Sequence, residues 1–295
     1  MKFVTYEQDG RESIGLLDAD GKRIAPLRKL GLGYSCMNDL ICQITQEERS
    51  RLQQVREADF EAGVSVDEVK LLAPIPHPRQ DVICLGLNYT EHARESAAFS
   101  SDNFVKKDRH YAVYFSKRVN TAPGPDAAVP SYEGLVDSLD YEAELAVIIG
   151  KDTFRVSREE AADAIFGYTI LNDVSARNLQ TSHTQWYFGK SLDGFTPMGP
   201  AIVTADEIAF PPQLKIQSRI NGELRQNSNT NMLITGIDEI ISELSQGMTL
   251  LAGTIIATGT PKGVGLGFDP PRWLHPGDVM ECEIEGIGIL RNRID

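Results

Sequence analysis

Residues 140–150 read DYEAELAVIIG, and this stretch decides the fold. Its apolar and β-branched residues are typical of a strand, and the unbroken apolar run 145–149 indicates a strand buried on both faces. Residues two apart on a strand point to the same face, so Glu142 and Glu144 should project together beside an apolar sheet. Two neighbouring carboxylates repel and are costly to desolvate. We therefore expect a divalent cation with oxygen ligands between them, the alternative being an exposed acidic edge strand.

Asp173 is the expected third carboxylate of this site. It follows the apolar strand predicted over 166–172, although an aspartate in this position also commonly caps a helix. Arg177 and Gln180 lie about one helical turn further on and would share a face. The planar guanidinium of Arg177 suits a substrate carboxylate, and a surface ion pair is an equally good interpretation of its spacing.

Two further segments carry candidate catalytic groups. Lys190 lies among aromatic residues and glycines, which indicates a fixed cation beside the cluster; a lysine at the rim of the core is the alternative. His92 and Glu95 have i, i+3 spacing, which on a helix would let the carboxylate orient the imidazole as a general base for water. By spacing alone, an incidental pair on a surface helix is the simpler interpretation. Of the other histidines, His110, at the end of the polar stretch 96–110, is kept as a further candidate for the site.

Composition limits the class of protein. The chain has 295 residues, 41% hydrophobic and 24% charged, as in ordinary globular proteins. A net charge of −13 disfavours nucleic acid as a partner. No apolar stretch approaches the roughly 20 residues that span a bilayer, so no membrane partner is expected. Four cysteines without a close pair are typical of reduced thiols, which favours a cytoplasmic location.

The chain divides into two predicted parts. Residues 1–70 read as a small α+β domain with strands over 2–7 and 13–18 and a polar helix over 45–60, and the proline-rich stretch 71–78 is a candidate linker. Residues 71–295 are rich in predicted strands, with a hairpin at Asn221-Gly222. The polar stretch 96–110 has no clear period and is a candidate lid.

Seven motifs in series resemble the fumarylacetoacetate hydrolase family. In order, they are GLNYTEHARE (86–95), DYEAEL (140–145), NDVSAR (172–177), GKS (189–191), PMGP (197–200), NGE (221–223) and TGTPKGVG (258–265). The match runs from about residue 71 to residue 295. The resemblance implies an α+β, strand-rich fold: a mixed β-roll catalytic domain, commonly dimeric, behind a small N-terminal α+β domain.

The resemblance also implies a role for each matching residue. In the family's pattern, metal ligands for Mg²⁺ or Mn²⁺ fall on Glu142, Glu144 and Asp173, the active-site lysine on Lys190, a water-activating lid dyad on His92 and Glu95, and contacts to substrate oxygens on Arg177, Gln180 and Thr260. The implied function is a metal-dependent hydrolase that cleaves a C–C bond in a small 2,4-diketo acid and releases pyruvate. The alternatives are an oxaloacetate decarboxylase or tautomerase, an isomerase of 2-hydroxy-diene-dioates, and a non-catalytic metal-binding or ligand-binding relative.

Overall fold

The computed structural model describes the backbone of residues 1–99 and 111–295, and the side chains of all of these except 96–99. Within this part of the chain the strands are β1 (Lys2–Gln8), β2 (Arg11–Leu17), β3 (Arg23–Pro26), β4 (Val64–Ser65), β5 (Lys70–Leu71), β6 (Val82–Gly86), β7 (Val113–Lys117), β8 (Ala128–Val129), β9 (Leu139–Asp140), β10 (Ala143–Ile149), β11 (Ile165–Asn172), β12 (Ser175–Ala176), β13 (Met198–Thr204), β14 (Lys215–Ile220), β15 (Glu223–Asn229), β16 (Ile255–Ala257), β17 (Val279–Ile284) and β18 (Gly288–Ile294). The α-helices are α1 (Met37–Gln43), α2 (Gln46–Leu52), α3 (Glu57–Glu61), α4 (Thr90–Phe99), α5 (Arg177–Ser182), α6 (Tyr187–Lys190) and α7 (Ile237–Ser245).

Strand β10 lies at the centre of a large mixed sheet. The strand order in this sheet is β4-β3-β2-β1-β13-β11-β10-β16-β6-β7, and β5 also pairs with β1. A second sheet has the order β15-β14-β17-β18-β8, and the short strands β9 and β12 form a separate pair. The β16–β6 and β18–β8 pairs are parallel, whereas the other pairs are antiparallel. The α+β, strand-rich fold expected from the sequence is therefore confirmed.

Alternate residues of β10 enter two different cores. Leu145 and Val147 pack with residues of the second sheet, including Ile216 and Ile284. Ala146 and Ile148 point the other way and pack in a core that also includes residues of α1. Every residue of β10 is buried, which confirms the prediction of a strand covered on both faces.

The first 70 residues extend the large sheet. Strand β1 pairs with β13 through Lys2 opposite Val203, and β5 returns to pair with β1. The expected strands over 2–7 and 13–18 are present as β1 and β2. Whether the first 70 residues form a separate domain stays a prediction.

The single helix predicted over 45–60 is wrong: the segment folds as two short helices, α2 and α3. Thr45 caps α2, with its hydroxyl accepting the Glu48 N–H, and α2 ends at Leu52. The Asp59 carboxylate then accepts the Arg56 N–H and starts α3. Side-chain acceptors that satisfy the free N–H groups of a first turn specify a new helix start, and they outweigh the continuous polar pattern.

Two other local expectations, the hairpin and the unpaired cysteines, are confirmed. The hairpin forms, with β14 and β15 flanking Asn221-Gly222. All four cysteines are free thiols. Among the described residues, no helix combines the length and the apolar character needed to cross a membrane. Of the candidate lid over 96–110, residues 96–99 are helical as the end of α4, while 100–110, including His110, lie outside the described residues.

Candidate active site

Three buried carboxylates converge at one end of the central strands. Each of Glu142, Glu144 and Asp173 offers an oxygen atom, and these oxygens all lie within 4.8 Å of one another. Glu142 lies directly before β10, Glu144 is its second residue, and Asp173 follows the neighbouring strand β11. Because β10 and β11 are antiparallel neighbours with Ala143 opposite Asn172, the start of one strand meets the end of the other. The structure thus brings together the three predicted metal ligands.

The Glu144 carboxylate is held by the backbone of a loop. Gly259 N–H donates to Glu144 Oε2 at 2.8 Å. Gly259 has φ +98°, and a Cβ there would lie 2.9 Å from the Cβ of Asn88. Only glycine combines this left-handed backbone with so close an approach, so the TGTPKGVG motif supplies a geometric requirement of the cluster.

Two lysines bind the Asp173 carboxylate, one to each oxygen. Lys190 Nζ donates to Asp173 Oδ2 at 2.8 Å and also lies 2.9 Å from Glu142 Oε2. Lys117 Nζ donates to Asp173 Oδ1 and, at 3.0 Å, to the carbonyl of Val174. Both lysine side chains are almost completely buried. Asp173 does not cap a helix, because α5 begins at Arg177 with Ala176 as its N-cap.

Burial and neighbouring charges shift the pKa values of the groups in this cluster. Burial raises the pKa of Glu142, but the cations of Lys190 and Arg177 outweigh it and lower that pKa to about 2. The pKa of Glu144 is raised well above its ordinary value by burial and by the carboxylates of Asp173 and Glu142. Burial lowers the pKa of Lys117. Burial acts in the same direction on Lys190, yet Asp173 and Glu142 raise its pKa overall.

The donor set fits a divalent cation. Among the described residues of the cluster, three buried cations (Lys117, Arg177, Lys190) face four buried carboxylates (Asp140, Glu142, Glu144, Asp173), which leaves one negative charge in excess when all are ionised. Glu144 has no ion-pair partner among the described residues. Each ionised carboxylate oxygen also has more than one acceptor direction, so contacts to lysine leave lone pairs for an ion. Hard oxygen ligands of this kind suit Mg²⁺ or Mn²⁺.

His92 and Glu95 form the expected pair on α4. His92 Nδ1 lies 3.0 Å from Glu95 Oε2, and the His92 side chain is buried. His92 is also close enough to the cluster to help lower the pKa of Glu142. The pair is therefore not an incidental surface contact.

A glycine-rich loop receives the Glu95 carboxylate. Gly263 N–H donates to Glu95 Oε1 at 3.1 Å. A Cβ at Gly267 would lie 2.0 Å from the same oxygen, so a side chain at this position would displace the Glu95 carboxylate. The loop thus fixes the carboxylate that orients His92.

Arg177 and Gln180 share a face of α5, as predicted. Arg177 Nη1 donates to Gln180 Oε1 at 2.9 Å and lies 2.7 Å from Glu142 Oε1. Its Nε donates to Asp140 Oδ2 at 2.8 Å. The guanidinium is therefore a buried part of the cluster, and the alternative of a surface ion pair is wrong.

Thr260 lies beside the cluster with its hydroxyl engaged inside the protein. The hydroxyl donates to the Ala143 carbonyl at 2.9 Å and accepts from Gln226 Nε2 at 2.7 Å. Contact of Thr260, Arg177 or Gln180 with a substrate stays a prediction.

Sequence reasoning missed Lys117, Asp140 and Gln226. Asp140 lies two residues before Glu142, so the period of a strand could have marked it as a member of the same face. Its carboxylate accepts N–H groups from Gly265 and Leu266 besides Arg177. Lys117 and Gln226 carry no local signal, because each meets its partners only through long-range packing.

Comparison with known proteins agrees with this architecture. The family model described as fumarylacetoacetate (FAA) hydrolase C-terminal matches residues 81–295. An oxaloacetate tautomerase of Bacillus subtilis, YisK, is 42% identical, and the alignment covers 100% of both chains. A fumarylacetoacetate hydrolase structure from Exiguobacterium antarcticum is 38% identical with a TM-score of 0.82, covering 100% of this chain and 99% of that one. A probable 2-hydroxyhepta-2,4-diene-1,7-dioate isomerase structure from Mycobacterium abscessus is 32% identical with a TM-score of 0.77, covering 100% of this chain and 98% of that one.

With a buried carboxylate triad at the end of a central strand and this match over most of its length, the chain belongs to the fumarylacetoacetate hydrolase family. Members similar to it include a tautomerase, a hydrolase and an isomerase, so the family assignment establishes an enzyme fold. The reaction itself has to be inferred from the geometry of the site.

Proposed function

We propose that this chain is a divalent-metal-dependent enzyme that moves a proton next to the keto group of a small α-keto acid, as in keto–enol tautomerisation of oxaloacetate. The observation that carries this proposal is the His92–Glu95 pair, which is buried and lies close enough to the carboxylate cluster to act on Glu142. Full-length similarity to an oxaloacetate tautomerase supports it.

The chain's own residues supply a proton route and a fixed charge. His92 accepts a proton from the carbon beside the keto group, while Glu95 holds the imidazole in place through its Nδ1 atom. Lys190 keeps a positive charge beside the cluster, where negative charge develops on the keto oxygen. A Mg²⁺ or Mn²⁺ ion bound by Glu142, Glu144 and Asp173 would supply Lewis acidity at that oxygen. His92 then gives the proton to the enolate oxygen, which completes the change from keto acid to enol, and the reverse sequence converts the enol to the keto acid.

Hydrolysis of a C–C bond in a 2,4-diketo acid, of the acylpyruvate or fumarylpyruvate type, is the second candidate. The same dyad favours it, because an imidazole oriented by a carboxylate is suited to taking a proton from water. The hydroxide would attack the distal carbonyl, Lys190 would stabilise the oxyanion, and pyruvate would leave with the bonding electrons and be reprotonated. The similar hydrolase and isomerase structures fit this chemistry about as well as tautomerisation.

The remaining expectations belong to the same proposal. The partner is a small anionic keto acid, since the buried cations of the cluster would attract its negative charge. A homodimer in the cytoplasm, without a nucleic-acid or membrane partner, stays a prediction, and light scattering on the purified chain would measure its oligomeric state.

One panel of assays tests the proposal. The enol–keto exchange of oxaloacetate and pyruvate release from oxaloacetate, acetylpyruvate and fumarylpyruvate would be measured with Mg²⁺ or Mn²⁺ and with excess EDTA. We expect EDTA-sensitive tautomerisation. Cleavage of the diketo acids without tautomerisation would favour the second candidate. Binding of Mn²⁺ with no turnover of any member would indicate a non-catalytic relative and would contradict both.

A further inference from the structure

Tyr89 carries a buried hydroxyl without a hydrogen-bond partner among the described residues. Its side chain is one of the largest that are fully buried, with 1% exposed. A buried polar group that lacks a partner destabilises the folded state, and phenylalanine would fill the same space without that penalty. The hydroxyl therefore indicates a partner that does not belong to the described part of the chain.

The backbone around Tyr89 packs directly against the loop that holds Glu144. The side chain of Asn88 donates to the carbonyl of Thr258 at 2.9 Å. The next residue of that loop, Gly259, donates to Glu144 and approaches Asn88 so closely that a Cβ there would lie 2.9 Å from the Asn88 Cβ. Tyr89 is thus anchored one residue from this contact.

Tyr89 directly precedes α4, the helix that carries His92. The Tyr89 carbonyl accepts the Ala93 N–H at 2.8 Å, and the backbone of Tyr89 also pairs with Leu233 in an isolated β-bridge. His92 acts on Glu142, while burial and the Glu144 carboxylate raise the pKa of Tyr89. The phenol is therefore a protonated donor, close enough to the cluster for the Glu144 carboxylate to act on it.

We propose that the Tyr89 hydroxyl donates a hydrogen bond to an oxygen atom of the bound keto acid and is a substrate-binding residue. This inference rests on the proposed function, and it assigns the acceptor as a carboxylate or keto oxygen. In the free protein the unpaired Tyr89 hydroxyl lowers the stability of the fold, and in the complex it forms a hydrogen bond. The hydroxyl therefore increases ligand affinity at the expense of stability.

The Tyr89→Phe variant tests the proposed hydrogen bond directly. The probes are Mn²⁺ alone, followed by oxalate, a non-reacting analogue of a keto acid, with Mn²⁺ present. We expect the metal-free variant to unfold at the same temperature as the metal-free wild type or up to about 2 °C higher. Mn²⁺ affinity should be unchanged. Oxalate affinity, and kcat/KM for the keto acid, should fall about tenfold or more, because a hydrogen bond to a charged group is lost.

Thr169→Val is the matched control. The Thr169 hydroxyl is also buried and has no partner among the described residues, but it lies within β11, opposite Ala146 in the apolar part of the sheet. Its removal should leave oxalate affinity unchanged. Equal oxalate affinity in Tyr89→Phe and wild type would overturn the assignment of Tyr89 alone. Absence of oxalate binding and of turnover in the wild type would overturn the proposed function together with it.

Discussion

Lys190 Nζ donates a hydrogen bond to Asp173 Oδ2 at 2.8 Å, and both side chains are buried. The same ammonium lies 2.9 Å from Glu142 Oε2, so one lysine joins two of the three carboxylates contributed by separate strands. A charge held in this way needs no rearrangement when negative charge develops on a substrate, which is the condition for effective electrostatic stabilisation.

Lys190→Met should lower keto-acid turnover by at least about 100-fold, because the fixed positive charge is lost. Mn²⁺ affinity should be retained or increased, since the carboxylates lose a competing cation. Steady-state kinetics and calorimetric titration with Mn²⁺ measure the two effects. Lys151→Met, an exposed lysine beyond the far end of β10, is the control. Turnover by Lys190→Met close to that of the control would contradict the assigned role.

Lys117→Met should mainly reduce stability. Lys117 is completely buried and binds one oxygen of Asp173, so its removal leaves that buried oxygen without its cation. Loss of one partner of a buried pair costs about 3 kcal/mol. Urea unfolding would measure the change, again with Lys151→Met as control. An unfolding midpoint equal to that of the wild type would show that the contact contributes no net stability.

His92→Ala should lower proton transfer by at least about 100-fold and leave Mn²⁺ affinity unchanged, because His92 is not one of the carboxylate ligands. Glu95→Gln should have a smaller effect of the same kind, since it weakens the orientation of the imidazole. The control is His275→Ala, at an exposed position.

The substrate panel separates the two candidate functions in His92→Ala. Loss of diketo-acid cleavage with retained oxaloacetate tautomerisation would assign the dyad to water activation and favour hydrolysis. Full activity on every substrate would remove the dyad from the mechanism.

Glu144→Gln should abolish Mn²⁺ binding and yet stabilise the metal-free protein. The pKa of Glu144 is raised by burial and by Asp173 and Glu142, so its ionised form is unfavourable in the fold. A neutral amide relieves this repulsion but is a weak ligand. Thermal unfolding in EDTA and Mn²⁺ titration should therefore move in opposite directions. A lower unfolding temperature of the metal-free variant would be inconsistent with this account.

The raised pKa of Glu144 also fixes the sign of a pH effect. A carboxyl with a raised pKa in the fold lowers stability progressively as pH rises above its ordinary value of about 4.3, because the unfolded chain ionises first. Glu142, whose pKa is lowered to about 2, acts in the opposite sense and loses its stabilising effect as pH falls from about 4.3 towards that value.

Metal binding should release a proton wherever Glu144 is protonated in the free protein. We expect Mn²⁺ affinity to fall as pH decreases below the raised pKa of Glu144. Calorimetry in two buffers with different ionisation enthalpies would measure the proton released. A Mn²⁺ affinity that does not change with pH would indicate that Glu144 is already ionised in the free protein.

The features that the sequence determined by itself are those with a local physical cause. The alternation of residues along 140–150 is set by the geometry of a strand, so it places Glu142 and Glu144 on one face wherever the strand lies. The hairpin at Asn221-Gly222 follows from turn chemistry, and His92 and Glu95 meet because they are three residues apart on one helix.

Only the tertiary structure decided which charges neutralise the cluster. Lys117 reaches Asp173 across 56 positions of the chain, and Glu95 meets the Gly263 N–H across 168. Arg177 has a spacing equally compatible with the surface, yet it lies buried between Asp140 and Glu142. Such pairs depend on how the sheet brings distant strand ends together, and on the requirement that every buried charge find a partner there. Neither the arrangement of the strand ends nor the pairing of the buried charges can be predicted from the residues adjacent in the sequence.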